Sequence, residues 1–186
     1  FGGLGDDTIE GGDGDDTVTV TGAGDQTISG GSGADSIVMS GIRTTGTPGN
    51  TIDLGVGADN VLFTTSSEND LVKVSSATVA GNKTITYQEA ATSASITTGS
   101  GKDSITFEKA LTGVNSITTN SGNDSLRFLS GASRVTVVMG AGADFLSATN
   151  LLQSNSNISG GAGADQFTIS TLSDSVVYGG SDNDVV

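Results

Sequence analysis

The chain contains no cysteine, no histidine and no tryptophan, only one proline, and aromatics make up just 4% of its 186 residues. Without cysteine, disulfides and thiolate metal sites are excluded. Without histidine or cysteine, so are the nucleophile–base pairs that depend on them. Basic residues are also scarce. Seven (Arg43, Lys73, Lys83, Lys102, Lys109, Arg127 and Arg134) face 21 acids, for a formal charge of -14. Such a balance repels nucleic-acid phosphates and anionic lipid, so neither nucleic acid nor a membrane surface is an expected partner. No run of about 18 apolar residues and no basic-then-apolar leader is present, so no segment reads as a membrane span or signal peptide.

What the chain has instead is glycine, 29 residues of it, set among Ser, Thr, Ala, Val, Asn and Asp. Such a composition suits disorder as well as a repeat fold, and periodicity decides for the repeat. Residues 2–10 read GGLGDDTIE and 11–19 read GGDGDDTVT; the phrase returns as GGSGADSIV at 30–38 and GGAGADQFT at 160–168. Looser copies are LGVGADNVL (54–62), TGSGKDSIT (98–106), TNSGNDSLR (119–127) and MGAGADFLS (139–147).

These phrases resemble the nonapeptide G-G-x-G-x-D-x-U-x of RTX proteins, where U is a large apolar residue. The resemblance covers the whole chain. It implies a six-residue loop that binds calcium, followed by a short strand whose apolar residue points inward. The expected fold is therefore all-β, a right-handed parallel β-roll or β-solenoid of about nine coils of about 20 residues, with two short strands per coil. At about 4.8 Å per coil it would be a rod about 43 Å long.

The expected inward residues are Ile9, Val18, Ile28, Ile37, Ile52, Val61, Val72, Ile85, Ile96, Ile105, Ile117, Leu126, Val137, Leu146, Ile158, Phe167, Val177 and Val186. Within each successive pair the interval is nine residues, except between Val72 and Ile85; from one pair to the next it drifts. The constant turn is the one carrying G-x-G-x-D. A turn that must place a carboxylate and carbonyls around one ion tolerates no change of length, whereas a turn closed by its own hydrogen bonds does. Its aspartates, Asp16, Asp35, Asp59, Asp103, Asp124, Asp144, Asp165 and Asp184, are the candidate calcium ligands. Gln26, Asn50, Asp70, Asn115 and Asp174 stand near the equivalent place on the drifting edge without the glycine frame, so calcium is expected along one edge only. At the start, GGLGDDT and TGAGDQT put motif-like turns on the opposite edge, where Asp7, with Asp25, could share an ion.

One aspartate cannot supply the six to eight oxygens that calcium takes, but two successive turns can, so each ion should bridge coil to coil. Pairs 16/35, 35/59, 103/124, 124/144, 144/165 and 165/184 give six expected ions, offsetting most of the charge of -14. An interruption is expected at residues 75–84. There the turn is longer and lacks an acid, and Lys83 stands where a carboxylate should be, partly balancing Asp59 and Asp103. This loop is expected to be metal-free and available for lateral contact. Strands after the calcium turn carry a second inward position, and Phe63, Tyr87, Phe107 and Phe128 should stack there as an internal ladder.

Both ends of the chain fall inside repeats, so residues 1–186 read as one solenoid segment of a longer polypeptide. The expected role is structural rather than enzymatic. It is that of a calcium-stabilised part of a secreted bacterial cell-surface protein, an S-layer subunit or surface fibre, self-assembling with neighbouring copies. The absence of cysteine fits a bacterial exporter better than the eukaryotic secretory route. Alternatives are the spacer of an RTX adhesin and the non-catalytic calcium module of a secreted enzyme or toxin.

Overall fold

Strands this short, with one apolar face, can bury that face only by stacking on copies of themselves, which a sequence repeat provides. The structure, a computed structural model, describes residues 3–41 and 49–186. Phe1, Gly2 and Arg43 lie outside the described residues. Among those described there is no helix, and all strand pairing is parallel.

One sheet runs in chain order through Thr8–Asp13, Thr27–Ser32, Thr51–Asp53, Leu71–Lys73, Ser95–Thr97, Asn115–Thr118, Val135–Ala141, Asn157–Ala162 and Val176–Ser181. The second stacks Thr17–Val20, Ser36–Met39, Asn60–Phe63, Thr84–Tyr87, Ser104–Phe107, Ser125–Phe128, Phe145–Gln153 and Gln166–Leu172. Register follows the inward residues, with Ile28 opposite Ile52, Ile52 opposite Val72, Val61 opposite Ile85 and Ile105 opposite Leu126. The result is an all-β solenoid of about eight turns.

Every expected inward residue from Val18 to Phe167 is buried; Ile9 and Val177 are half-buried at the two ends, and Val186 is exposed on the last coil. The aromatic ladder is present. Phe63, Tyr87, Phe107 and Phe128 stack with ring centroids 4.2, 4.9 and 5.5 Å apart. In-register parallel pairing makes this stack, because each ring sits one coil above the last. The Tyr87 hydroxyl lies inside this core, and burial pushes its pKa well above the ordinary range.

The structure adds a third side. From the third coil onward the drifting turns carry the short strands Ser67–Glu68, Ala91–Thr92, Leu111–Thr112 and Ala132–Ser133, joined by the far end of Phe145–Gln153. Their inward residues Ser67, Ala91, Leu111, Ala132 and Leu152 are buried. Two positions after each comes a residue with positive φ: Asn69, Ser93, Gly113, Arg134 and Ser154. That left-handed residue turns the corner back to the first sheet. The coils from the third onward are thus three-sided.

Glycine is needed where the backbone of one coil touches the next. At Gly142, φ is +147, and an added Cβ would lie 1.5 Å from the Gly122 carbonyl oxygen, whereas at Gly131 the nearest atom is 3.6 Å away. Gly142→Ala should therefore cost more than about 2 kcal/mol, while Gly131→Ala stays within about 0.5 kcal/mol of wild type. Thermal unfolding of both variants in saturating calcium checks this, and equal losses would contradict the stacking geometry.

Candidate metal centre

The G-x-G-x-D turns deliver one residue per coil to a single row just before the second-sheet strands: Asp16, Asp35, Asp59, Lys83, Asp103, Asp124, Asp144, Asp165 and Asp184. Each aspartate from Asp35 onward accepts, at Oδ1, the backbone N–H of the row residue one coil earlier. The donors are Asp16, Asp35, Lys83, Asp103, Asp124, Asp144 and Asp165, and the distances run from 2.7 to 3.0 Å. One oxygen of each carboxylate is thus committed to holding coil to coil.

The other oxygen is not. Oδ2 of Asp16, Asp35, Asp103, Asp124, Asp144 and Asp165 is buried and accepts no hydrogen bond from the described residues. In the end coils it tucks against the first glycine of the phrase. A Cβ on Gly30 would lie 2.6 Å from Asp35 Oδ2, and one on Gly160 would lie 2.2 Å from Asp165 Oδ2. A buried acceptor of this kind costs free energy unless a donor or a cation meets it. Burial is also the largest influence on the carboxyl pKa values, raising those of Asp35, Asp103 and Asp165 and pushing those of Asp124 and Asp144 up to about 6.

At one turn a cationic side chain shows which backbone oxygens lie beside the carboxylate. The Lys83 ammonium, fully buried, donates to the Gly55 carbonyl at 3.0 Å, to the Gly57 carbonyl at 2.7 Å and to Asp59 Oδ2. The G-x-G-x-D turn therefore aims two carbonyls and a carboxylate at one point. Among the described residues no three acidic side chains converge, so any site here is built from one carboxylate per turn plus backbone oxygens. An all-oxygen set of that kind fits a hard cation such as calcium, with the next coil completing the coordination.

The opposite edge solves the same coil-to-coil problem largely without charge. Gln26 N–H donates to Asn50 Oδ1, Asn50 to Asp70 Oδ1, Ala94 to Asn115 Oδ1, Val135 to Ser156 Oγ, and Ser156 to Ser175 Oγ. Spacing alone puts Asp174 in this row, and the structure does not: Asp174 has positive φ, and Ser175 takes its place. Asp7 opens this row with its Oδ2 buried and unbonded, while the Gln26 side-chain amide donates to the Gly5 carbonyl of the same turn. Asp25 lies beside it, its N–H bonded to Asp6 Oδ1 rather than to Asp7. In the long turn, residues 75–78 are exposed, and pairing resumes where Ala80 meets Ser100.

A family profile described as the RTX calcium-binding nonapeptide repeat matches residues 1–19, 20–38 and 109–135. The match supports the RTX family, whose nonapeptide repeats are calcium-binding. Neither a curated protein nor a solved structure matches the chain.

Two measurements test the row. Asp144→Asn keeps an acceptor for the Asp124 N–H and should lose the two calcium ions that Asp144 shares with its neighbours while retaining most of the fold in saturating calcium. Asp144→Ala loses both and should cost a further ~1–3 kcal/mol. Asp174→Ala should cost less than about 1 kcal/mol. Equal melting losses for Asp144→Ala and Asp174→Ala would put the metal on the wrong edge.

The second measurement is pH dependence. A carboxyl whose folded pKa is raised favours the fold when neutral, so its contribution is present below the ordinary value of 3.8 and is lost as pH rises through about 6 at Asp124 and Asp144. The metal-free chain should accordingly gain β structure on acidification toward about pH 4, and calcium affinity should weaken below about pH 6 as protons compete. Calcium titration at about pH 5 and about pH 7.5 reads this out. An affinity independent of pH would show that these carboxylates do not carry the binding.

Proposed function

We propose that this chain is a calcium-stabilised structural region of a secreted bacterial cell-surface protein, an S-layer subunit or surface fibre. In this reading Asp16, Asp35, Asp59, Asp103, Asp124, Asp144, Asp165 and Asp184 hold a file of calcium ions between successive coils. Asp7 holds an ion on the opposite edge. The observation that carries it is a row of buried carboxylate oxygens on one edge, Oδ2 of Asp16, Asp35, Asp103, Asp124, Asp144 and Asp165, that accept no hydrogen bond from the described residues, while the other edge is tied largely by side-chain hydrogen bonds. Extracellular placement is supported by the matched repeats, since RTX proteins are typically exported by type I systems. The Ser/Thr/Gly-rich, acidic, cysteine-free composition fits a surface scaffold. The exposed residues 75–78 of the long turn offer a metal-free place for lateral contact between copies. An adhesin spacer or the non-catalytic module of a secreted enzyme or toxin would use the same ions for the same purpose.

A glycine-rich chain with a narrow core does not offset the entropy of ordering without its ions. Far-ultraviolet circular dichroism should therefore show β structure at about millimolar calcium and its loss in excess chelator. A spectrum that ignores the chelator would remove the structural role of the metal. Electron microscopy of the purified chain in calcium tests the surface reading. Ordered sheets or fibres are expected, and monomers at every concentration would favour the spacer or module.

A further inference from the structure

We propose that the Lys83 ammonium is a tethered substitute for one metal ion, dividing the calcium file into two separate stretches. The inference rests on the calcium reading of the aspartate row and goes beyond it. Lys83 occupies the row by backbone register, since its N–H reaches Asp103 Oδ1 at 2.7 Å and its carbonyl accepts from Ser104 at 2.8 Å, as an aspartate in that place would. Its side chain, however, turns back one coil. A lysine stem spans about the 4.8 Å between coils, and it sets Nζ on the Gly55 carbonyl, the Gly57 carbonyl and Asp59 Oδ2.

The three protons of the ammonium meet three oxygens, so the group is satisfied although fully buried. Among the row's buried aspartates, Asp59 is the one whose Oδ2 has a partner. By sequence position Lys83 is a general counter-charge between Asp59 and Asp103. The geometry is narrower: the ammonium serves Asp59, and toward Asp103 only the main chain bonds.

A covalently attached cation is present at every calcium concentration and supplies one charge where calcium supplies two. The Asp59 turn is thereby closed to metal. The turn of Lys83 itself lacks a carboxylate, so the interval up to Asp103 is closed as well. Ions at the Asp16 and Asp35 turns are left on one side, and ions bridging 103/124, 124/144, 144/165 and 165/184 on the other. The break also removes the geometric demand for a nine-residue turn, which accounts for the extra residues at 75–78 occurring here.

The test uses the full chain and calcium alone. Native mass spectrometry and equilibrium dialysis count bound ions for wild type, Lys83→Asp and Lys83→Met. Lys83→Asp should bind at least one more ion than wild type, and its melting temperature should rise more steeply with calcium. Lys83→Met leaves Asp59 buried without a cation and should be less stable at low calcium, recovering as calcium rises. A calcium-binding wild type with unchanged counts in both variants would overturn the substitution alone; a wild type that binds no calcium would overturn the calcium reading with it. If the variants fail to fold, anomalous scattering from calcium in wild-type crystals decides. Peaks at the Asp16, Asp35, Asp103, Asp124, Asp144 and Asp165 turns with none at Asp59 uphold the proposal, and a peak coordinated by Gly55, Gly57 and Asp59 refutes it.

Discussion

The fold depends on carboxylates stacked one coil apart in a buried row. Two unit charges about 5 Å apart repel by about 3 kcal/mol at the effective dielectric typical of proteins. An inward Ile or Leu contributes about 1.5–3 kcal/mol when buried, and a coil-to-coil hydrogen bond a net ~0.5–1.5 kcal/mol. The repulsion at each step is therefore as large as the burial of a whole inward aliphatic residue. A cation between the carboxylates reverses the sign of that term. The glycine turns, the constant spacing and the Oδ1 hydrogen bonds all act to hold the carboxylates where a cation can meet them.

On the proposed calcium reading, the need for a cation constrains one edge of the solenoid and leaves the other free to vary. On the aspartate edge every turn except the one that contains Lys83 keeps the same length. On the opposite edge Asn50, Asn115, Ser156 and Ser175 supply acceptors that are satisfied by hydrogen bonding alone, and there the chain inserts, lengthens and adds a third strand. A neutral amide or hydroxyl needs one donor at a suitable angle, whereas a metal ion constrains six or more oxygens at once. The drift in coil length thus records the coordination difference between the edges.

The parts legible in the sequence were those governed by a strict period. The inward residues from Val18 to Phe167, the aromatic ladder and the aspartate register follow from a strand's alternation and a fixed turn, and all three are in the structure. The third side was not legible, because its strands are two residues long and its inward positions vary between Ser67, Ala91, Leu111, Ala132 and Leu152. Its one regular signal, a left-handed residue two positions later, is spread over Asn69, Ser93, Gly113, Arg134 and Ser154 and has no shared residue type. Asp174 is misplaced by spacing for this reason: a corner residue next to the row looks like a row member when only intervals are counted. The direction of the Lys83 side chain was likewise hidden, since register fixes a backbone position and leaves the stem free to run up or down a coil.

The middle of the solenoid differs from its ends in a way that matches this break in charge. Two residues after the inward apolar position of the first sheet, the end coils carry Gly11, Gly30, Gly160 and Gly179, leaving room for the carboxylate. The middle coils carry Leu54, Val74, Thr98, Thr119 and Met139 there, all buried. The same coils hold the stacked Phe63, Tyr87, Phe107 and Phe128 and most of the third-side strands. Larger side chains, stacked rings and a wider cross-section all increase the apolar area removed from water. At the Asp59 turn a single ammonium stands in for a divalent, multidentate ion and orders fewer backbone groups, so the coils around it need more from packing. The core is thus thickest through the middle coils, the one that the lysine closes among them, and thinnest where the glycine cradles face the aspartates.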